Sequence, residues 1–287
     1  MAERKVIEVI SAKPASDGDG VKLLRVFGGQ APERFDPFLM LDEFGSHEAS
    51  DYIGGFPPHP HRGFETVTYM LQGKMEHRDH MGNVGLLNDG DVQWMSAGGG
   101  VIHSEMPKQT QGRMRGFQLW VNLPAAQKMR PAQYSDVPAA EIPVFNIKGA
   151  RIKAIAGEVC VNNEVVTGRF AAVPTKPIYL DVHLMAGQGV ALPVSQTQTA
   201  LVYVYEGSVS IGEAKTALGP QQLARLVDGD SIVVTNTLNA EARILILAAE
   251  PLGEPIVQYG PFVMNTREEI EQALADYRNG TLVAFAK

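Results

Sequence analysis

Short runs of β-branched and aromatic residues, cut every few positions by turn-forming residues, limit this chain to very few folds. In the first half the runs are "VKLLRVFG", "ETVTYML", "VGLL", "DVQWM" and "GFQLWVNL", separated by "GGQAPERFDP", "MGN", "NDGD" and "SAGGG". Each run is too short for a stable helix and is bounded by glycine, proline, asparagine or aspartate, so each reads as a strand. The pattern returns after residue 145 as "RIKAIAG", "IYLDVHL", "TALVYVYEG", "SVSIG", "QLARLV" and "SIVVTN". Strands repeated in two halves without alternating helices predict an all-β chain of two barrels or sandwiches in tandem. A proline-rich stretch over 126–145 reads as the linker, dividing the chain into an N-terminal domain, 1–125, and a C-terminal domain, 146–287.

The C-terminus departs from this pattern. In "NTREEIEQALADYRNG", Thr266 stands three residues before Glu269 as a capping box. Ile270, Ala273, Leu274 and Tyr277 then fall on one helical face, and Gly280 follows. A single α-helix over 267–278 is predicted, its apolar stripe docked on a barrel.

Composition excludes several function classes. Charged residues make up 20% of the chain and the net charge is −7, with no basic run, so direct nucleic-acid binding is not expected. The N-terminus has no secretory apolar region and no long uncharged apolar run follows, which predicts a cytoplasmic protein, or a nuclear one if the source is eukaryotic. One cysteine, Cys160, cannot close an intramolecular disulfide; on a strand it reads as a small buried hydrophobe.

The chemistry is concentrated in "FPPHPHRGFETVTYMLQG". Alternate residues of a strand share a face, so His59 and His61 project together while Pro60 points away. His103 and Glu105 in "GGGVIHSEMP" stand in the same relation. If the two segments are neighbours, three imidazoles and one carboxylate converge into a shell suited to a divalent transition metal. Four protein ligands on an octahedral ion leave two positions for substrate, water or dioxygen.

"GGFPPHPHRGFETVTYMLQG" with "GDVQWMSAGGGVIHSEMP" resembles the two cupin motifs in the form they take in the pirin family. "RFDPFLMLDEFG", "MEHRDHMGNVG", "GFQLWVNLP" and "GPFVMNTREEI" extend the resemblance over most of the chain. It implies a bicupin of two jelly-roll barrels with one metal in the N-terminal barrel, held by His59, His61, His103 and Glu105. Ligand types suit Fe(II), with copper, nickel, zinc or manganese as alternatives. Many cupins use the glutamate a few residues after His-x-His, which here is Glu65. The pirin pattern assigns that role to Glu105 and leaves Glu65 as the alternative ligand or as an orienting group beside an imidazole.

Two functions follow from the resemblance. One is a metal-dependent dioxygenase that opens a flavonol such as quercetin, with Glu105 as the candidate base and Glu65 the second choice. The other is a redox-sensitive regulatory protein that binds a transcription factor or a metabolic enzyme.

Counting in the second half from the equivalent turn glycines, Gly207 and Gly229, places Pro193, Ser195, Ala242 and Ile244 where the first half has ligands. No metal is expected there. His77 and His80 read as solvated residues of a hairpin tip, and His47 and His183 have no partners close in sequence. Gly98, Gly99 and Gly100 lack the Lys-Ser/Thr of a phosphate loop and read as a bend leading into the His103 strand. Phe64, Trp94, Phe117 and Trp120 read mostly as core, with some lining a pocket.

Overall fold

The computed structural model describes residues 1–29 and 31–283. It is built almost wholly of strands, as the alternation requires, with one α-helix at Arg267–Arg278. The chain separates into two compact units. One comprises Lys13–Ala139 with the segment that begins at Leu252; the other comprises Met1–Ala12 with Ala140–Pro251.

The first unit pairs a four-stranded sheet with a seven-stranded one. The smaller sheet runs in the order Phe56–His61, Val101–Pro107, Met75–Asp79, Val84–Leu87. The larger runs Gln133–Val137, Val92–Ser96, Phe64–Gln72, Met114–Asn122, Phe38–Ser46, Val21–Gly28, Lys13–Asp17. The second unit repeats the plan. Its smaller sheet is Gly189–Pro193, Ser231–Asn236, Val209–Ile211, Thr216–Leu218. Its larger sheet is Lys5–Ser11, Gln222–Val227, Thr199–Glu206, Ala242–Ala249, Ile178–Leu184, Ala150–Ala156, Val144–Ile147. All these pairings are antiparallel, so hairpins and short crossovers suffice to connect them.

The expected division of the chain needs correction at three places. Residues 133–137, inside the supposed linker, form a strand that pairs with Val92–Ser96 and closes the first unit's large sheet. The chain's first strand, Lys5–Ser11, performs the same closure in the second unit, beside Gln222–Val227. The C-terminal helix belongs to the first unit. Sequence distance hides such long-range pairing, because strand alternation specifies a face and carries no record of the partner.

The two interiors differ in kind. The second unit is filled by aliphatic side chains, including Ala154, Leu180, Val202, Ala224 and Ile246, which lie in one cross-strand row. Each fully buried leucine or isoleucine there contributes roughly 2–3 kcal/mol. In the first unit an apolar cluster containing Leu23, Phe44, Met70, Met75 and Leu87 fills one end. The next cross-strand row is polar: Arg25, Asp42, Gln118, Thr68, Gln93 and Asp136 occupy successive strands of the large sheet.

Candidate metal centre

The ligand candidates lie on two adjacent strands of the small sheet. Pro57, Pro58 and Pro60 stiffen Phe56–His61, and the bend before Val101 is carried by Gly98 and Gly100 at φ +50° and +151°. His103 lies opposite His59 and Val101 opposite His61 in the antiparallel register. The ring centroids of His59 and His61 are 4.7 Å apart, those of His59 and His103 4.4 Å, and those of His61 and His103 5.0 Å. One nitrogen of each ring lies within 4.8 Å of the others. Among the described residues this is the group of histidine, cysteine and carboxylate side chains that can close on a metal ion.

The state of the rings suits that task. His61 and His103 are each 2% exposed, and both nitrogens of His103 are buried without a hydrogen-bond partner among the described residues. Leaving such polar atoms unmatched costs about 1–3 kcal/mol each, a cost that metal coordination would remove at the one nitrogen of each ring that binds. Burial, and then the neighbouring His59, hold His61 well below the ordinary histidine range; burial followed by His61 does the same for His103. Both are therefore neutral near pH 7, the form that binds a metal. His59 donates Nδ1–H to the Pro57 carbonyl at 2.8 Å, which leaves Nε2 as the ring nitrogen that could bind a metal.

Glu105 is buried on the same strand as His103 but outside the histidine triangle. Its Oε1 lies 3.2 Å from the Thr68 hydroxyl, 3.4 Å from Gln118 Nε2 and 3.5 Å from His77 Nδ1. Thr68 also stands 2.6 Å from Gln118 Oε1. These side chains hold the carboxylate beside the imidazoles.

Glu65 is placed elsewhere. Its neighbour Phe64 and Thr68, three residues on, face the histidines and Glu105, so alternation sends Glu65 to the opposite face of the strand. There its Oε1 accepts from Arg130 Nη2 at 2.5 Å. Burial raises its pKa and the Arg130 charge draws it back. Among the described residues, no contact of Glu65 reaches an imidazole.

His77 and His80 correct the expectation of a solvated tip. His77 is 3% exposed, lies opposite Glu105 in the register, and has both nitrogens buried. His80 Nδ1 accepts from the backbone N–H of Ile102 at 3.3 Å. The buried alternation of Met75 and His77 in "MEHRD" was the available signal, since the turn itself begins only at Asp79.

The counting in the second unit also needs correction. The pairing that carries the histidines, Phe56–His61 with Val101–Pro107, corresponds to Gly189–Pro193 with Ser231–Asn236. Its inward residues are Val190, Leu192, Ile232 and Val234, all in the aliphatic core. Pro193 and Ser195 are exposed, and Ala242 and Ile244 lie on a different strand. The second "DGD" precedes a different strand of the plan from the first, so equal counts end one strand apart.

Above the triangle opens a cavity of about 480 Å³. His59, His61, Glu105, Gln118 and Trp120 line one part of it, Phe44, Phe56 and Met75 another, and Asp17, Arg25 and Asp42 a third. Trp120 stands edge-on to His61 at 5.4 Å and packs on Phe64 at 4.4 Å, giving an aromatic wall beside the histidines.

A family model described as Pirin matches residues 20–121, and one described as the Pirin C-terminal cupin domain matches residues 179–283. The chain is 52% identical to a Pseudomonas aeruginosa protein whose name gives quercetin 2,3-dioxygenase as a provisional activity, over 97% of this chain and 98% of that one. It is 40% identical to Pirin of Homo sapiens, over 97% and 93% of the two chains. The chain belongs to the pirin family. Among solved structures, a quercetin 2,3-dioxygenase from Acinetobacter baumannii superposes with a TM-score of 0.88 at 34% identity, covering 98% of this chain and 99% of that one. The architecture is thus a bicupin, and the histidine cluster lies in its first barrel. Among the described residues no helix is long and apolar enough to cross a membrane.

Proposed function

We propose that the cavity is the active site of a mononuclear metal dioxygenase that opens a flavonol such as quercetin, with dioxygen as co-substrate. The observation that carries this reading is the convergence of three imidazoles at the base of a cavity with an aromatic wall. His59, His61 and His103 would hold the ion, with Glu105 as fourth ligand; the mixed nitrogen and oxygen set suits Fe(II). When bound, the metal supplies Lewis acidity toward a substrate hydroxyl and a redox centre for dioxygen.

The protein's own groups account for the rest. Trp120, Phe44 and Phe56 offer flat apolar surface to a fused aromatic ligand and exclude water from it. Glu105 stands ready to take the proton of the ligand hydroxyl at Oε1, where Thr68 and Gln118 steady it through hydrogen bonds. The family names of the relatives, and the dioxygenase superposed over nearly the whole chain, support the same reading.

The test is oxygen uptake with quercetin by iron-loaded protein, compared with His59→Ala and Glu105→Ala. Turnover by the wild type that falls at least about a hundredfold in both variants is the expected result. Full metal occupancy without turnover would overturn the enzymatic reading and leave the regulatory one.

A further inference from the structure

We propose that Arg25, Asp42 and Asp17 form the recognition end of the cavity, binding ligand hydroxyls remote from the metal and selecting neutral polyphenols over aromatic acids. The inference rests on the reading of the cavity as a site for aromatic ligands and adds what the far end of that ligand must carry.

Arg25 and Asp42 face each other across neighbouring strands. Arg25 donates from Nε to Asp42 Oδ1 at 3.0 Å and from Nη2 to Asp42 Oδ2 at 2.8 Å, a two-pronged ion pair. Nη2 also reaches Asp17 Oδ2 at 3.1 Å. All three residues line the same cavity as His59, His61 and Glu105.

Stability does not explain the pair. Asp42 is 2% exposed, and burying a charge costs several kcal/mol that its partner repays only with good geometry. The second unit fills the corresponding positions of the same sheet plan with Ala154 and Leu180, facing each other across the equivalent strands and wholly apolar. A polar row is therefore not a requirement of the architecture. It occurs in the barrel that carries the histidines, and the Arg25 end of it opens to the cavity.

The chemistry of the cluster sets what it can hold. One guanidinium and two carboxylates leave a net charge of −1, which repels an anionic ligand group. Nε and Nη2 of Arg25 are committed to carboxylates, so Nη1 is the nitrogen left to donate to a ligand oxygen. Asp17 Oδ1 accepts from the Gly18 N–H at 2.8 Å and Oδ2 from Arg25, and each carboxylate oxygen keeps a further lone pair for a hydroxyl donor. Adjacent donor and acceptor sites match a phenolic hydroxyl, which both accepts and donates. A catechol ring satisfies the cluster best.

The experiment is anaerobic binding to the metal-loaded full chain, read by tryptophan quenching, with three probes: quercetin, galangin, which lacks the distal hydroxyls, and a flavonol carrying a carboxylate on that ring. Asp17→Ala is expected to weaken quercetin about tenfold or more, to change galangin by less than about twofold, and to improve the carboxylate probe. Because Asp17 is largely exposed, this variant is expected to fold. The apolar pair Arg25→Met with Asp42→Leu is expected to keep metal and fold while losing the discrimination among probes. Equal weakening of quercetin and galangin, or none, overturns this inference alone. A wild type that holds metal but binds neither flavonol overturns the active-site reading, and this inference with it.

Discussion

Lys128 is 1% exposed, and its ammonium donates to the Gly63 carbonyl at 2.8 Å, Asn122 Oδ1 at 2.6 Å and the Val263 carbonyl at 3.0 Å. Burial pulls its pKa down to about 8, against the pull of Glu254, Glu269 and Asp36. Below pH 8 both native and unfolded chains hold the proton, and the desolvation cost is fully present. Between pH 8 and the unfolded value near 10.4 the native protein releases it first, so stability rises with pH, by up to about 3 kcal/mol. Denaturant midpoints across this range are expected to show the rise in the wild type and its loss in Lys128→Met. Glu65 offers a second test at this scale. Held by Arg130 on the far face of its strand, it should be dispensable for the metal, whereas Glu105 should not. Glu65→Gln is expected to keep a full metal equivalent and to lose about 3 kcal/mol of stability by weakening a buried pair. Retention of metal in Glu105→Gln with its loss in Glu65→Gln would reverse the assignment. The histidine pairs were readable from sequence because alternation alone aligns His59 with His61. Which glutamate joins them was not, because the choice depends on strand parity across a turn and on Arg130, 65 positions away.

At the level of elements, the helix Arg267–Arg278 and the strand Phe56–His61 are tied by one side chain. Arg62, 1% exposed and next to His61, donates Nη1 to Asp276 Oδ2 at 2.7 Å, Nε to the Gly99 carbonyl at 2.7 Å and Nη2 to the Leu282 carbonyl at 3.3 Å. It thereby joins the helix end to both segments that carry the candidate ligands. Gly63 allows the approach of the hairpin formed by Val257–Tyr259 and Phe262–Met264, since a Cβ there would lie 2.0 Å from the Val263 carbonyl oxygen. Asp276→Ala strands a buried guanidinium, and a loss of about 3–5 kcal/mol is expected, with weaker metal binding in a titration of the folded variant. A variant as destabilised as this yet unchanged in metal affinity would show that the helix supports the fold without positioning His61. The helix itself, from its capping box to its last turn, was legible because each signal is local: Glu269 returns to the Thr266 and Asn265 backbone N–H groups, and the Thr266 hydroxyl accepts from Glu269 N–H. Its partner barrel was not legible, since nothing in an apolar stripe specifies which surface covers it.

Across the whole molecule, the two chain ends complete units that lie far from them in sequence. The first twelve residues belong with 140–251, and the last segment, from Leu252, with 13–139. Arg4 shows what the first exchange fixes. It is 2% exposed and donates to the carbonyls of Gln198, Leu226 and Ser195, with Gln198 at 2.8 Å and Leu226 at 3.2 Å. Every one of these partners lies in the second unit, whereas both tryptophans, Trp94 and Trp120, lie in the first. Arg4→Met removes the donor shared by three carbonyls, the Leu226 bond among them buried, and is expected to cost about 2 kcal/mol or more. Because the histidine cluster shares none of these groups, metal affinity is expected to stay within about twofold of the wild type, a difference of under 0.5 kcal/mol. The two units can then be followed separately during denaturant unfolding, with tryptophan fluorescence reporting the first and far-ultraviolet circular dichroism reporting both. The dichroism transition should begin at lower denaturant in Arg4→Met while the fluorescence transition moves less, a departure from coincidence that marks loss of two-state behaviour. Transitions that shift together by the same amount would mean instead that the aliphatic barrel and the histidine-bearing barrel unfold as one.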